Sequence, residues 1–130
     1  MVSSIYAALL ALSIVGLSLN VIKLRRGKRV LLGDGDDEEL QYAIRAQGNA
    51  TEYIPISLIL LILLELSGAH PVLIHLSGLA ILAGRIVHAR GLLQRNMQNR
   101  ILGMKITFWT IIMMSFVALI YASRAGWRAL

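Results

Sequence analysis

Four long runs of apolar residues divide the chain, and short polar stretches separate them. The first run, Met1 to Ile22, contains no charged residue and is close to the ~20 residues that a membrane-spanning helix needs. The pattern predicts an all-α integral membrane protein, in which four transmembrane helices form an up-down bundle within a single membrane domain, 1–130. The predicted helices cover about residues 2–23, 38–66, 71–92 and 101–123.

Composition agrees with a membrane protein, since 57% of the 130 residues are hydrophobic and the mean hydropathy is +0.69. The net charge of +6 comes from basic residues that flank the apolar runs, as the positive-inside rule requires, so we expect membrane lipids and not nucleic acid as partners. The first and third loops are the basic ones, which predicts that they are cytoplasmic and that both termini lie on the outer, periplasmic side of a bacterial inner membrane. Cysteine is absent, so a reactive thiol would have to arrive with a ligand.

A polar stripe enters the second apolar run. Arg45, Asn49 and Glu52 follow at i, i+4 and i+7, which is one face of a helix. A charged side chain at membrane depth costs about 2.5 to 3.5 kcal/mol, so such residues usually face a bundle interior or a ligand. Arg85 and His88 return to the same depth near the end of the antiparallel third helix, and we expect Arg85 to pair with Glu52.

The remaining polar residues predict structural roles. Asp36 or Asp37 is expected to cap the second helix, and Glu65 is expected to reach headgroup water near its other end. No metal site is predicted, because the acidic stretch 34–39 lacks the twelve-residue calcium-loop pattern. The glycines that would permit close helix approach are Gly16, Gly78, Gly84 and Gly103.

Two motifs resemble a known family. The second helix reads Arg45-Ala46-Gln47-x-Asn49-x-x-Glu52-Tyr53-x-Pro55, and the third ends with Gly84-Arg85-x-x-His88. These motifs, the four spans and the basic first loop resemble the MAPEG family, the membrane-associated proteins in eicosanoid and glutathione metabolism. The loop pattern Leu32-Gly33-Asp34-Gly35 is most similar to short bacterial members, and the resemblance covers nearly the whole chain.

The resemblance implies a homotrimer with glutathione sites between neighbouring subunits, open to the cytoplasmic side. Glutathione carries two carboxylates and one ammonium, which suit arginine forks, an amide and an acid. The residues that the resemblance assigns to glutathione are Arg25 or Arg26 from the first helix, and Arg45, Gln47, Asn49, Glu52, Tyr53, Arg85 and His88.

The chain departs from the family pattern at two positions. The synthases of the family have a tyrosine one helical turn beyond the position of His88, where this chain has Leu92. The family also has an arginine near the start of the fourth helix that stabilises the thiolate. Arg100 matches it with an offset of one residue, and the resemblance implies that Arg100 is catalytic.

Three functions are compatible with the sequence. The first is a glutathione-dependent membrane transferase or peroxidase, which takes a lipophilic electrophile from the bilayer. The second is a non-catalytic MAPEG-like binding or scaffold protein, which the replacement by Leu92 favours. The third is a small multidrug exporter, but such exporters resemble a pattern with a key acid in the first helix, and Met1 to Ile22 contains none.

Overall fold

Four long helices make up the described part of the protein. The structure is a computed structural model that describes residues 1–128, with side chains described for 1–125. Each helix is long and apolar enough to cross a membrane, and residues 1–128 contain no strand, so the prediction of an all-α membrane protein with four spanning helices is confirmed. The helices are α1 (Ser3–Lys28), α2 (Glu38–Leu66), α3 (Pro71–Leu93) and α4 (Met97–Arg128).

Consecutive helices are antiparallel, so the bundle has two distinct ends. The loops 29–37 and 94–96 lie at one end, which we call the basic end, and the turn 67–70 lies at the other, which we call the turn end. At the basic end α1 extends through Lys28, beyond the apolar run. Basic residues in its last turn continue the helix because they compensate the negative end of the helix dipole. Arg29, with φ of 56°, then ends α1.

Side-chain caps fix the start of each later helix. The carboxylate of Asp37 accepts a hydrogen bond from the Leu40 backbone N–H at 2.9 Å, so Asp37, and not Asp36, is the cap of α2. Asn96 accepts from the Asn99 N–H at 3.2 Å, which explains why α4 begins at Met97, four residues before the expected start at 101.

Ion pairs and caps tie α1 to α2 at both ends. At the basic end Lys28 contacts Asp37 at 2.9 Å, and this hydrogen bond holds the pKa of the Asp37 carboxyl below its usual value. At the turn end Glu65 accepts hydrogen bonds from the backbone N–H groups of Val2 at 2.5 Å and Ser3 at 2.9 Å, and from the Ser3 hydroxyl. Glu65 was expected to reach headgroup water; instead it caps a helix that has no cap of its own.

Glycines bring α3 and α4 into backbone contact. A Cβ atom on Gly103 would lie 2.6 Å from the Cα of His88, and one on Gly91 would lie 2.8 Å from the Cα of Arg100. Sequence analysis identified Gly103 but missed Gly91. Within the single chain no helix approaches Gly16 closely, since no atom lies within 4 Å of a Cβ built there.

The buried residues of the first helix lie near the turn end. They are Ser3, Tyr6 and Leu10, and the Tyr6 hydroxyl is 2.8 Å from Nδ1 of His75 on α3. From Ala11 to Lys28 no residue of α1 is fully buried, although Leu17 still packs against the core and Lys28 pairs with Asp37.

Candidate functional site

The polar stripe of α2 separates into two groups. Arg45 and Glu52 pair with each other at 3.3 Å, and their side chains are 54% and 52% exposed. Asn49, which lies between them in sequence, is buried and directed towards α3. An exposed ion pair contributes little stability, so Arg45 and Glu52 can exchange this contact for a ligand at low cost.

Arg85 has neutral partners in the centre of the bundle. The side chain is 4% exposed, and its Nη1 donates to Asn49 Oδ1 at 2.5 Å while Nε donates to Thr107 Oγ1 at 3.2 Å. The predicted pairing of Arg85 with Glu52 is therefore wrong. The amide of Asn49 lies on the side of α2 that faces α3, whereas the carboxylate of Glu52 lies one helical turn further on and points outwards to Arg45.

Tyr53 completes this internal group. Its ring lies under the Arg85 guanidinium, with 5.5 Å between the guanidinium carbon and the ring centroid, and packs edge-on against Phe108 at 5.4 Å. Gln47 is half-buried on the same helix. Tyr53, Asn49 and Arg85 therefore form a rigid interior group that supports the exposed residues of α2.

His88 connects this interior to the start of α4. Its Nδ1 lies 2.9 Å from the backbone oxygen of Arg100. A carbonyl oxygen only accepts, so Nδ1 carries the proton and Nε2 has the lone pair. Nε2 is buried and has no partner among the residues that the structure describes, so an acceptor nitrogen is free inside the bundle.

Two adjoining pockets open at the basic end, and Gln41 and Arg45 line both of them. The smaller has a volume of about 210 Å³ and lies between α2, α3 and α4, where Leu92 and Arg100 form part of its wall. The larger, about 470 Å³, lies between α1, the first loop and α2, and includes Arg25. The lining residues of these basic-end pockets are Glu38, Gln41, Tyr42, Arg45, Leu92 and Arg100 in the smaller, and Arg25, Gly33, Asp34, Gln41, Ile44 and Arg45 in the larger.

The basic-end pockets separate the two candidate arginines of α1. Arg25 lines the larger pocket and donates to the Gly33 carbonyl oxygen at 2.6 Å. Arg26 lines another surface cavity, to which Arg25 and Arg29 also belong, and it lines neither basic-end pocket. Within one chain, the structure therefore brings Arg25 next to Arg45, and it does not bring Arg26 there.

Sequence analysis missed the pocket residues in the first turn of α2. Gln41 lies one helical turn before Arg45, so the stripe could have been extended backwards by the same spacing. Glu38 and Tyr42 gave no such signal, because their position depends on the loop before α4: Arg95 contacts Glu38 at 3.2 Å and covers the Tyr42 ring at 5.2 Å.

The pockets combine three arginines with a few acceptors. Guanidinium groups of Arg25, Arg45 and Arg100 can hold carboxylates as two-pronged hydrogen bonds. The Glu38 carboxylate and the Gln41 amide can hold an ammonium or peptide groups. This donor and acceptor set suits a small zwitterionic peptide with more than one carboxylate.

Comparison with known proteins agrees with the sequence motifs. The model of the MAPEG family matches residues 3–120. The chain is 42% identical over 121 residues to the "Inner membrane protein YecN" of Escherichia coli strain K12, and the match covers 93% of this chain and 92% of that protein. The protein of the same name from Escherichia coli strain CFT073 gives the same identity and coverage.

Proposed function

Because the chain belongs to the MAPEG family, we propose that it is a glutathione-dependent membrane transferase or peroxidase that acts on lipophilic electrophiles. The observation that carries the proposal is the shared position of Arg45, which lines both basic-end pockets and so stands between Arg25 and Arg100. Arg25, Arg45 and Arg100, which are far apart in the sequence, thus line two adjoining pockets at the basic end of the bundle.

Glutathione binding follows from the charges around this opening. Arg25 and Arg45 bind the two carboxylates, since a guanidinium matches a carboxylate in a planar, two-pronged geometry. Glu52 does not line either pocket but contacts Arg45 from outside; it releases Arg45 and, beside Glu38, attracts the ammonium group, while Gln41 bonds the peptide backbone. The interior group around Arg85 keeps α2 and α3 in register beneath these residues.

Arg100 is proposed to activate the thiol. A cation within a few ångströms lowers a thiol pKa from about 8.5 towards neutrality and raises the fraction of reactive thiolate. His88 fixes the backbone at Arg100 through its Nδ1, and its buried Nε2 is left to accept a hydrogen bond from a water molecule inside the bundle. The thiolate attacks an electrophile that enters from the bilayer, and the protein contributes positioning and stabilisation of the developing charge.

A non-catalytic glutathione-binding protein is the second candidate, and Leu92 is the observation that favours it. Its side chain is 2% exposed and forms part of the smaller pocket. The synthases that the chain resembles have a tyrosine at this place, whose hydroxyl can donate to a thiolate or to a leaving group. Leucine supplies no donor, so in this alternative glutathione binds without efficient turnover.

We also propose an inner-membrane location, with the basic end in the cytoplasm and both termini outside, and assembly as a homotrimer. The charge distribution and the name of the Escherichia coli relative support the location. Apolar residues of α1 such as Leu12, Val15 and Leu19 are exposed in the single chain and can face a neighbouring subunit. Because the chain has no cysteine, single variants Leu32→Cys and Ser67→Cys report the orientation: an impermeant maleimide applied outside should label only Ser67→Cys.

Binding and turnover are tested together on purified protein. Calorimetry measures the glutathione affinity, and a generic aromatic electrophile and a lipid hydroperoxide measure turnover. Arg45→Ala and Glu52→Gln should each weaken binding at least about tenfold, because a hydrogen bond to a charged group contributes about 1.5 to 3 kcal/mol. Arg124→Ala, an equally exposed arginine near the turn end, is the matched control.

The outcomes of these experiments distinguish the enzyme from the scaffold alternative. Binding with turnover supports the enzyme, and binding without turnover supports the scaffold alternative. Absence of binding at millimolar glutathione, or equal affinities in Arg45→Ala and Arg124→Ala, would exclude the basic-end pockets as a glutathione site.

A further inference from the structure

A cleft between α1 and α3 lies on a different side of the molecule from the basic-end pockets. It lies along the half-buried part of α1 beyond Leu10, and has a volume of about 250 Å³. Gly16 and Leu17 form its α1 wall and Ile86 and Arg90 belong to its α3 wall. The absence of any atom within 4 Å of a Cβ on Gly16 shows that this wall is open.

The charged residues of the cleft are both arginines, and no carboxylate lines it. Arg85 directs its nitrogens to Asn49 and Thr107, on α2 and α4, so its methylene stem is the part left to face α1. Arg90 is exposed and makes no salt bridge with any residue in 1–125. Arg90 is therefore the cation available at the rim of the cleft, and the interior of the cleft is apolar.

A small polar pocket continues the cleft towards the basic end. It has a volume of about 180 Å³, shares Leu93 with the cleft, and adds the Asn20 amide and the Arg95 guanidinium. The carboxylate of Glu39 also lines it, and that group is paired with Lys28 at 3.0 Å. Polarity thus changes along one groove, from apolar in the bundle centre to polar at its end, which is the order of an amphiphile lying in a bilayer. Arg95 is paired with Glu38, so Arg90 supplies the available positive charge.

We propose that this α1–α3 cleft is a binding site for one anionic phospholipid. One acyl chain occupies the apolar part between Gly16 and Ile86, and the phosphate is held at Arg90 with the Asn20 amide beside it. Basic pockets between transmembrane helices at the cytoplasmic side commonly hold anionic headgroups. The cleft is smaller than the roughly 300 to 1,000 Å³ of pockets for drug-sized ligands, so it takes one chain while the second remains in the bilayer.

This site does not depend on the glutathione proposal. Arg45, Glu52 and Arg100 do not line the cleft, and Arg90, Gly16 and Asn20 do not line the basic-end pockets. A bound lipid here would fill the cleft between α1 and α3.

Two glycines of α1 provide a matched test. Gly16→Leu places a large side chain in the cleft, where a Cβ has no atom within 4 Å, and Gly27→Leu introduces the same side chain on the same helix outside the cleft, where a Cβ also has no atom within 4 Å. Fluorescent phosphatidylglycerol is titrated into delipidated protein in neutral detergent, with phosphatidylcholine as the zwitterionic competitor. We expect saturable binding of about one phosphatidylglycerol per chain, weakened at least tenfold in Gly16→Leu and within twofold of wild type in Gly27→Leu.

The charge is tested separately with Arg90→Gln. One basic residue near a lipid surface contributes about 1 kcal/mol, so the preference for phosphatidylglycerol over phosphatidylcholine should fall about fivefold while the affinity for phosphatidylcholine stays constant. Equal binding by Gly16→Leu and Gly27→Leu, or an unchanged preference in Arg90→Gln, would overturn the proposal. A change in the mass of the assembly in Gly16→Leu would show that the cleft is a contact between subunits, which also overturns it.

Discussion

Replacement of Gly103 by alanine is the sharpest test of how closely α3 and α4 approach. The added Cβ would overlap the backbone nitrogen of His88 and lie 2.6 Å from both its Cα and its Cβ. Two of these three atoms belong to the backbone, so no rotation of a side chain removes the clash. The two helices must separate or shift along each other.

The expected loss of stability has two parts. Overpacking of a close contact costs about 1 to 3 kcal/mol, and more where backbone must move. The higher helix propensity of alanine returns up to about 1 kcal/mol. Gly16→Ala gains helix propensity without an overpacking cost, because a Cβ there meets open space. The propensity gain is common to both variants and cancels, so we expect Gly103→Ala to be at least about 1 to 3 kcal/mol less stable than Gly16→Ala.

Reversible unfolding in mixed detergent, followed by tyrosine and tryptophan fluorescence, measures this difference. Gly91→Ala is an independent second variant, since its Cβ would lie 2.8 Å from the Cα of Arg100 on the opposite helix. If Gly103→Ala and Gly91→Ala both match Gly16→Ala in stability, α3 and α4 are not in backbone contact, and the reasoning is refuted.

Three further expectations concern the polar contacts. Asn49→Ala removes the side-chain acceptor from the buried Arg85 guanidinium and should cost about 2 to 3 kcal/mol of unfolding free energy. Asn49→Asp keeps an acceptor and should retain most of that free energy. Equal losses in the two variants would contradict the hydrogen bond between Asn49 and Arg85. Glu65→Ala should speed amide hydrogen exchange in the first turn of α1 at least about fivefold, because a helix cap contributes about 1 to 2 kcal/mol. The hydrogen bond with Lys28 is the main cause of the lowered pKa of Asp37. The stability that Asp37 adds is therefore full above the unfolded pKa of about 3.9 and declines as the pH falls below that value. A stability difference between wild type and Asp37→Asn that does not shrink below pH ~4 would refute this.

The four spans were predictable because hydropathy alone specifies them. An apolar run of about 20 residues has few alternatives to a spanning helix, whatever its neighbours are. The helix ends were less accessible, since they depend on caps and charges outside the apolar runs. Lys28 and Asn96 illustrate this, because both extend helices into polar sequence.

Only those features of the site that follow from the spacing of residues along one helix were predictable. Spacing along α2 placed Arg45 and Glu52 on one side, but it could not distinguish which polar residue faces α3, and so it assigned Arg85 to the wrong partner. The role of Gly91 depends on the crossing point of two helices, which no local pattern encodes. Gln41 shows the opposite case, since its position was available from the same spacing and was overlooked.

The carboxylate that closes the first turn of α1 belongs to a residue 63 positions further along the chain. In the orientation proposed above, α1 enters the membrane with the N–H groups of its first turn without a partner in the chain, and they gain their acceptor only when the end of α2 has crossed. In that orientation Glu65 crosses together with the apolar part of α2, and its cost in the bilayer is offset afterwards by three hydrogen bonds. α1 and α2 thus form their shared contacts together, as one helical hairpin. A break in the loop between them would weaken the Glu65 cap at one end and the Lys28–Asp37 pair at the other.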